Sequence, residues 1–426
     1  MNRRHTFRRH LVVLAACAAG GVLGGCEFMP SGSSLPSNPD DLLPFRDDVP
    51  FASLSSADRV LVYETPGVIQ VQHGTSCAQS NRSGKEEVMR VQEALELPKG
   101  LDRATVIANG FRVRYLSEDH HVGGFGSAIG VIKLDGNQLT WEAGGAISDN
   151  NFDDGYEWCY AYTVLAWNST QIRAEVDHGD TGHAFTNYRL VYGTALRPVP
   201  GYLYNPAFAG LERVAVLPRG FASAWPDGDH HILQVAYKND GGEVFIEANK
   251  TYGNNQVPAQ ESQVGSGYVS WESTVVLKDN ALDRKQYFLE LMSGLGGADV
   301  GMVTPPFTIA PHDPDTDEGL FDTSTCVSSP YLGPLEHEKT IHSVPYEFAI
   351  PVLAGWDMRY GCEEDEQVTQ MGAWIDKWSW QPGTSPGGGT LSYLAKTDLI
   401  DRDKTPTSLG RVNVKILGLR RVGTKR

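Results

Sequence analysis

Positive charge is scarce in this 426-residue chain: 36 lysines and arginines face 52 aspartates and glutamates, for a net charge of −16. So acidic a surface repels phosphate backbones, which argues against nucleic acid and favours cations, neutral glycans or a basic protein face. Long apolar runs are also lacking. The longest, Leu11–Gly25, falls short of the roughly twenty residues that a bilayer-spanning helix needs. There is no P-loop, nucleophile elbow, dinucleotide fingerprint or HExxH, and the glycines of GGFGSAIG from Gly123 precede a strand rather than a helix. Helical periodicity is confined to Glu86–Leu97, where it predicts one short helix.

What is present begins with an export signal: a basic start, MNRRHTFRRH, then the apolar run and a small-residue cleavage site. The site, Leu23-Gly24-Gly25-Cys26, resembles the lipobox of bacterial lipoproteins. That resemblance implies cleavage before Cys26 and diacylation of its thiol. Glu27 in place of Asp then implies an outer-membrane address, with the membrane held through the N-terminal lipid alone. Loss of Arg3, Arg4, Arg8 and Arg9 with the leader leaves 32 basic against 52 acidic residues, near −20. Residues 26–55 are rich in Pro, Ser and Asp without apolar period, and read as a flexible tether.

The rest is organised by an echo. Gly110–His121 reads GFRVRYLSEDHH and Gly220–His231 reads GFASAWPDGDHH, each after a short apolar run; a degenerate third copy starts at Gly355-Trp356. Downstream, Asp135-Gly136 and Asp240-Gly241 stand between alternating stretches, the signature of a β-hairpin. Aromatic, β-branched strands then start at Gly155, Gly267 and Gly389. The expectation is an all-β chain: three tandem antiparallel β-sandwich repeats, at 56–193, 194–312 and 313–426, after the signal at 1–25 and the tether. Alternation predicts that most tryptophans are core, with Trp225, in a loop, the one expected outside.

Of six cysteines, Cys17 lies in the leader and Cys26 carries the lipid. The remaining four, in an exported chain, favour disulfides. Three pairings are open; pairing within repeats favours Cys77–Cys159 and Cys326–Cys362. No cysteine has a histidine partner in a recognisable motif, so a thiol catalyst is not expected.

Two Asp-His-His runs give candidate ligand-binding residues Asp119, His120, Asp229 and His230, joined by Trp225. Neighbouring residues on a strand point to opposite faces, so adjacent histidines share one ion poorly, and a structural role suits a recurring motif better. His178, Asp180 and His183, from one turn, are candidate metal ligands; the plainer reading is a polar hairpin tip. Asp149, Asn151 and Asp153, and likewise Asp313, Asp315 and Asp317, place oxygens at alternate positions suited to calcium, although the glycine falls one place late for an EF-hand loop.

The order of features within a repeat, an apolar strand into Gly-Phe or Gly-Trp, a loop, a hairpin and an aromatic strand, is similar to the H-type lectin domain, a small antiparallel sandwich that binds amino sugars. The resemblance rests on pattern, so no binding residue is carried over. The functional expectation is a lipid-anchored outer-membrane binding module for a glycan or partner protein, not an enzyme. Its alternatives are a structural component of an envelope assembly and a metal-dependent hydrolase built on His178, Asp180 and His183.

Overall fold

Alternation of apolar and polar residues, not helical period, governs the chain, and its strands follow. The computed structural model describes residues 49–80, 88–116, 122–148, 155–177, 185–192, 197–204, 208, 211, 213–224, 232–239, 243–245, 268–279, 285–303, 308–309, 334–360, 367–383, 388–401 and 409–421. Residues 35–426 form one compact unit. The first part comprises β1 (Leu54–Thr65), β2 (Ile69–Ser80), β3 (Met89–Glu96), β4 (Arg103–Tyr115), β5 (Gly124–Asp135), β6 (Gln138–Ser148), β7 (Tyr156–Trp167), β8 (Glu175–Asp177) and β9 (Phe185–Tyr192). Then come β10 (Arg197–Tyr204), β11 (Arg213–Ala224), β12 (Ile232–Asn239), β13 (Glu243–Phe245), β14 (Tyr268–Asp279), β15 (Lys285–Gly296), β16 (Val300–Val303) and β17 (Thr308–Ile309). The last part is β18 (Leu335–Val344), β19 (Phe348–Arg359), β20 (Val368–Gln381), β21 (Gly389–Asp401) and β22 (Leu409–Leu419). The fold is all-β, with antiparallel sheets packed face to face as in a sandwich.

The short helix expected at Glu86–Leu97 is not formed. Met89–Glu96 is β3, paired with β6 from Met89 opposite Gly145 to Glu96 opposite Gln138. Burial of Met89, Val91 and Glu93 on one face is a strand pattern, and the carboxylate at its third inward position disguised it in the sequence. The first hairpin is as expected: Asp135 pairs with Gln138 across Gly136-Asn137, and Gly136 takes the positive φ of +60° that such a turn requires. Its counterpart in the second segment differs, since β13 pairs with β11 and β12 pairs with β14 and β19.

The three segments do not each close a sandwich of their own; their strands interleave. The sheet orders are β1-β2-β7-β4-β20-β21-β18, β10-β14-β12-β19-β22-β16 and β3-β6-β5-β11-β15-β8, so every sheet joins strands of two segments. The pairing is cyclic. β4, which carries Gly110-Phe111, pairs with β7 of its own segment and β20 of the third. β11, with Gly220-Phe221, pairs with β15 and with β5 of the first. β19, with Gly355-Trp356, pairs with β22 and with β12 of the second. The strands aligned by their glycine starts are therefore not equivalent: β7 lies beside the Gly-Phe strand β4, whereas β14 and β21 lie beside β12 and β20, the strands that follow the Gly-aromatic strands β11 and β19.

Each of the three central strands shifts register just before its glycine, at Ala108/Gly110, Pro218/Gly220 and Leu353/Gly355. A bulge there bends the strand toward the centre. Gly110 and Gly220 hold φ of +139° and +155°, and a Cβ at either would lie 2.2 and 2.3 Å from the backbone Cα of Trp374 and Ala128. No other residue fits that crossing. The following rings converge: Phe111 and Phe221 centroids lie 4.8 Å apart, with Trp356 at 5.4 and 5.2 Å from them. The recurring Gly-aromatic pair thus marks where the three segments meet. Side chains of the bulged residues tie the ring further. Asn109 Nδ2 donates to Pro351 O at 3.2 Å, and Arg219 Nε donates to Ile129 O at 3.1 Å.

Candidate functional site: an edge strand and the carboxylate beneath it

β1 ends its sheet. Among the described residues it pairs with β2 alone, in unbroken register from Ser56 opposite Cys77 to Leu61 opposite Gln72. Its sequence, LSSADRVLVYET, contains no proline, and Val60 and Leu61 are 56% and 52% exposed. Consecutive strand residues point to opposite faces, so both faces of β1 reach solvent. Among the described residues the large exposed hydrophobics are few, and three of the four, Phe51, Val60 and Leu61, lie on this N-terminal stretch.

What holds so exposed a strand is a polar cluster at its middle. Arg59 Nη2 donates to Glu93 Oε2 of β3 at 2.7 Å, and Arg59 Nε donates to Tyr162 Oη at 3.1 Å. The Arg59 guanidinium also lies 5.1 Å from the centroid of Trp141. Glu93, buried, accepts from the Tyr160 hydroxyl and, at 3.0 Å, from that of Tyr162. Trp141 Nε1 donates to Tyr160 Oη at 3.3 Å. Trp158, Tyr160 and Tyr162 occupy alternate positions of β7 and stack at 5.0 and 5.2 Å. Just before β1, the Phe51 ring lies 4.4 Å from the guanidinium of Arg90 on β3, which forms a buried ion pair with Glu142 at 2.7 Å.

The electrostatics mark this cluster as a clamp. Burial, reinforced by the charge of Glu93, pushes the Tyr160 phenol well above its ordinary value, and the same causes raise Tyr162 to about 12. Both phenols therefore keep their protons at neutral pH and act as donors, not nucleophiles. Burial pulls the Arg59 pKa down, but Tyr162 and Glu93 outweigh it and the net shift is upward. The carboxylate is thus satisfied by a guanidinium and two phenols, as a buried charge requires.

Two further carboxyls are perturbed. Burial pushes Asp357 up to about 7 against a hydrogen bond from Gln234 Nε2 at 2.9 Å, and Asp398 up to about 6 against one from Gln370. The sign for Asp357 follows from linkage. An unfolded aspartyl releases its proton near pH 4, while the folded one keeps it to about 7. Stability is therefore lost as pH rises through that window. Asp357→Asn is expected to raise the melting temperature at pH 8, by an amount corresponding to about 2 kcal/mol, and to leave it nearly unchanged at pH 4. Thermal melts at the two pH values check this; an equal effect at both would contradict it.

Of the residues singled out by sequence, Cys77 and Cys159 are brought together. They stand opposite one another on β2 and β7 and form a disulfide. Cys26, Cys326, Cys362, Asp119, His120, Trp225, Asp229 and His230 lie outside the described residues, as do His178, Asp180, His183, Asp149, Asn151, Asp153, Asp313, Asp315 and Asp317. Every tryptophan whose side chain is described is buried. Where the three segments meet there is a small pocket of about 40 Å³, lined by Phe111, Ser127, Phe221, Tyr237 and Trp356 among others. Arg59 and Glu93 carried no sequence signal. A lone Arg on a strand and a Glu in a charged run read as solvated until the fold joins them.

No family model matches this chain, and no curated protein matches it. Solved structures give faint likenesses. One is a protein from Parabacteroides distasonis ATCC 8503 described as a candidate secreted protein, 6% identical, covering 62% of this chain and 98% of its own, with a TM-score of 0.14. Another is the protein of T=1 particles derived from infectious bursal virus, 8% identical, covering 90% and 85%, with a TM-score of 0.11. At such scores neither carries an argument about fold or function.

Proposed function

We propose that this chain is a lipid-anchored protein of the cell envelope whose β-sandwich body is a binding module for a partner protein, with β1 as its docking element. The observation that carries the reading is the edge of β1 that no described strand pairs with, with Val60 and Leu61 exposed on opposite faces. An exposed edge presents unpaired N–H and C=O groups along its length, which suits the addition of a partner strand. The lipobox-like Leu23–Cys26 and the tether before β1 support an anchor at the same end of the chain. The acidic surface favours a basic partner face. The glycan branch has less behind it, since the described tryptophans offer no exposed ring for a sugar to stack on.

The test uses the full chain in its native envelope, with a photo-reactive residue at position 60 or at Gly67, an exposed turn. A discrete protein adduct from position 60 and none from position 67 is the expected result; no adduct from position 60 overturns the docking role. A glycan array of the same chain, run with calcium and with EDTA, is expected to be blank. Calcium-sensitive binding to a defined sugar would move the function to the loops and away from β1.

A further inference from the structure

We infer that β18, at the other end of the sheet that β1 ends, is an acid-released strand, held in place at neutral pH by the uncharged imidazole of His337. Among the described residues β18 pairs with β21 alone, from Leu335 opposite Thr397 to Ile341 opposite Leu391. One ladder and one packed face hold it, and elements held so lightly open without the rest of the fold. Its outward Glu336, Glu338 and Thr340 are exposed, while Leu335 and His337 are buried. His337 stands opposite Ala395 and is 2% exposed. Its Nε2 lies 3.1 Å from Thr397 Oγ1, and its Nδ1 has no hydrogen-bond partner among the described residues. A neutral imidazole has one donor and one acceptor, so it loses little there. An imidazolium has two N–H donors and a charge, and the second donor finds no acceptor.

No described side chain compensates a charge at this place. The positions of β21 on that face are Ala395, Thr397 and Leu399, opposite Ile375, Ala373 and Met371 of β20. Asp401, four residues beyond Thr397, already accepts from the Gln367 N–H at 2.7 Å. Gly410 of β22 packs against Thr397 and Leu335, and a Cβ on it would strike both side chains. Asp357, Arg359, Arg411 and Lys415 alternate with the residues of β19 and β22 on that side, and so point away. β17 contributes only Thr308 and Ile309. On β18 itself Glu336 and Glu338 face outward, and half-buried Lys339, on the His337 side, adds a charge of the same sign. Burial therefore pulls the His337 pKa down to about 4, against the ordinary 6.5 that an opened strand restores. The open form takes up the proton first, so the hold on β18 is full above about pH 6.5 and is lost as pH falls toward 4. Asp357 and Asp398, raised by burial, titrate with the opposite sign, so the response must be read at β18 and not from a whole-chain melt.

The experiment is amide hydrogen exchange of the full chain at pH 7 and pH 5, with each rate divided by the intrinsic chemical rate at that pH. Protection of the β18 amides is expected to fall about ten- to twentyfold at pH 5, the change that linkage gives for a pKa of 6.5 in the open form and about 4 in the closed one. β15 is the reference, since the described strands of its sheet carry no histidine; its protection should change less than about twofold. β2 is no reference, because burial also pulls down the pKa of its His73. His337→Gln keeps an amide for Thr397 and has no proton to gain, so it is expected to hold the β18 ratio within about twofold. The same fall in His337→Gln, no fall in the wild type, or an equal fall at β15 would overturn the inference. Where that variant does not fold, the wild-type profile decides: loss of protection confined to β18 and its partner β21 supports release, and loss spread evenly through the sheet overturns it.

Discussion

Replacing Phe221 by alanine is expected to destabilise the whole chain by about 3–5 kcal/mol and to move one unfolding transition, not one of three. Phe221 packs against Phe111 and Trp356, and its ring also lies 5.5 Å from Phe125 and 6.1 Å from Phe288. The cavity of about 40 Å³ already borders it, so the space left by the ring would merge with existing space in a ring of strands pinned at three bulges. Such a site cannot collapse to refill itself, which places the cost at the upper end of the range for a lost aromatic. Far-UV circular dichroism and tryptophan fluorescence, followed through denaturant, should trace coincident curves that shift together. Two transitions, one of them unshifted, would show that the segments unfold separately and that the interleaving contributes little.

Cooperativity is the consequence of pairing each segment's Gly-aromatic strand with a strand of another segment. In a linear array of repeats, a lesion in one unit is felt mainly by its neighbours. Here β4 pairs with the third segment, β11 with the first and β19 with the second, so every segment neighbours both others. The clamp at Glu93 lies at the rim of this arrangement and positions β1 without bearing on the hub, and Val60 and Leu61 substitutions should therefore leave global stability within about 0.5 kcal/mol.

How far this was legible in the sequence divides along physical lines. The Gly-Phe and Gly-Trp pairs were legible because a crossing that excludes a Cβ, followed by a ring at the centre, constrains residue type directly. Strand character was legible along β7 from its aromatic and β-branched residues, although the strand is buried on both faces rather than on the one face that alternation predicts. It failed at β3, where inward Glu93 breaks the pattern and helix-favouring Glu, Met, Gln and Ala imitate a short helix. The interleaving was not legible: motif correspondence says which residues are equivalent, but not whether a strand pairs within its own segment or the next. The clamp was illegible for a related reason, since Arg59, Glu93, Trp141 and Tyr162 meet only once four strands from two sheets are stacked.

Removing the Cys77–Cys159 bond in the double variant Cys77→Ser/Cys159→Ser is expected to cost about 4 kcal/mol, because the bond closes a sequence separation of 82 residues and so limits the unfolded chain. The folded state should hardly notice. The two positions face each other in a ladder running from Ile69 opposite Trp167 to Ser80 opposite Tyr156, and that pairing persists without the bond. Arg112, whose Nη2 lies 3.3 Å from Cys159 Sγ, keeps its ion pair with Glu157 at 3.4 Å. The loss should therefore appear with unchanged circular dichroism at zero denaturant and a larger dependence on denaturant, since the uncrosslinked chain exposes more surface when unfolded. An unchanged midpoint would mean that the unfolded state is already compact around this loop. Reduced wild-type protein supplies the comparison: a loss equal to that of the double variant assigns all the redox-dependent stability to this one bond, and an excess reports a second bond, between Cys326 and Cys362.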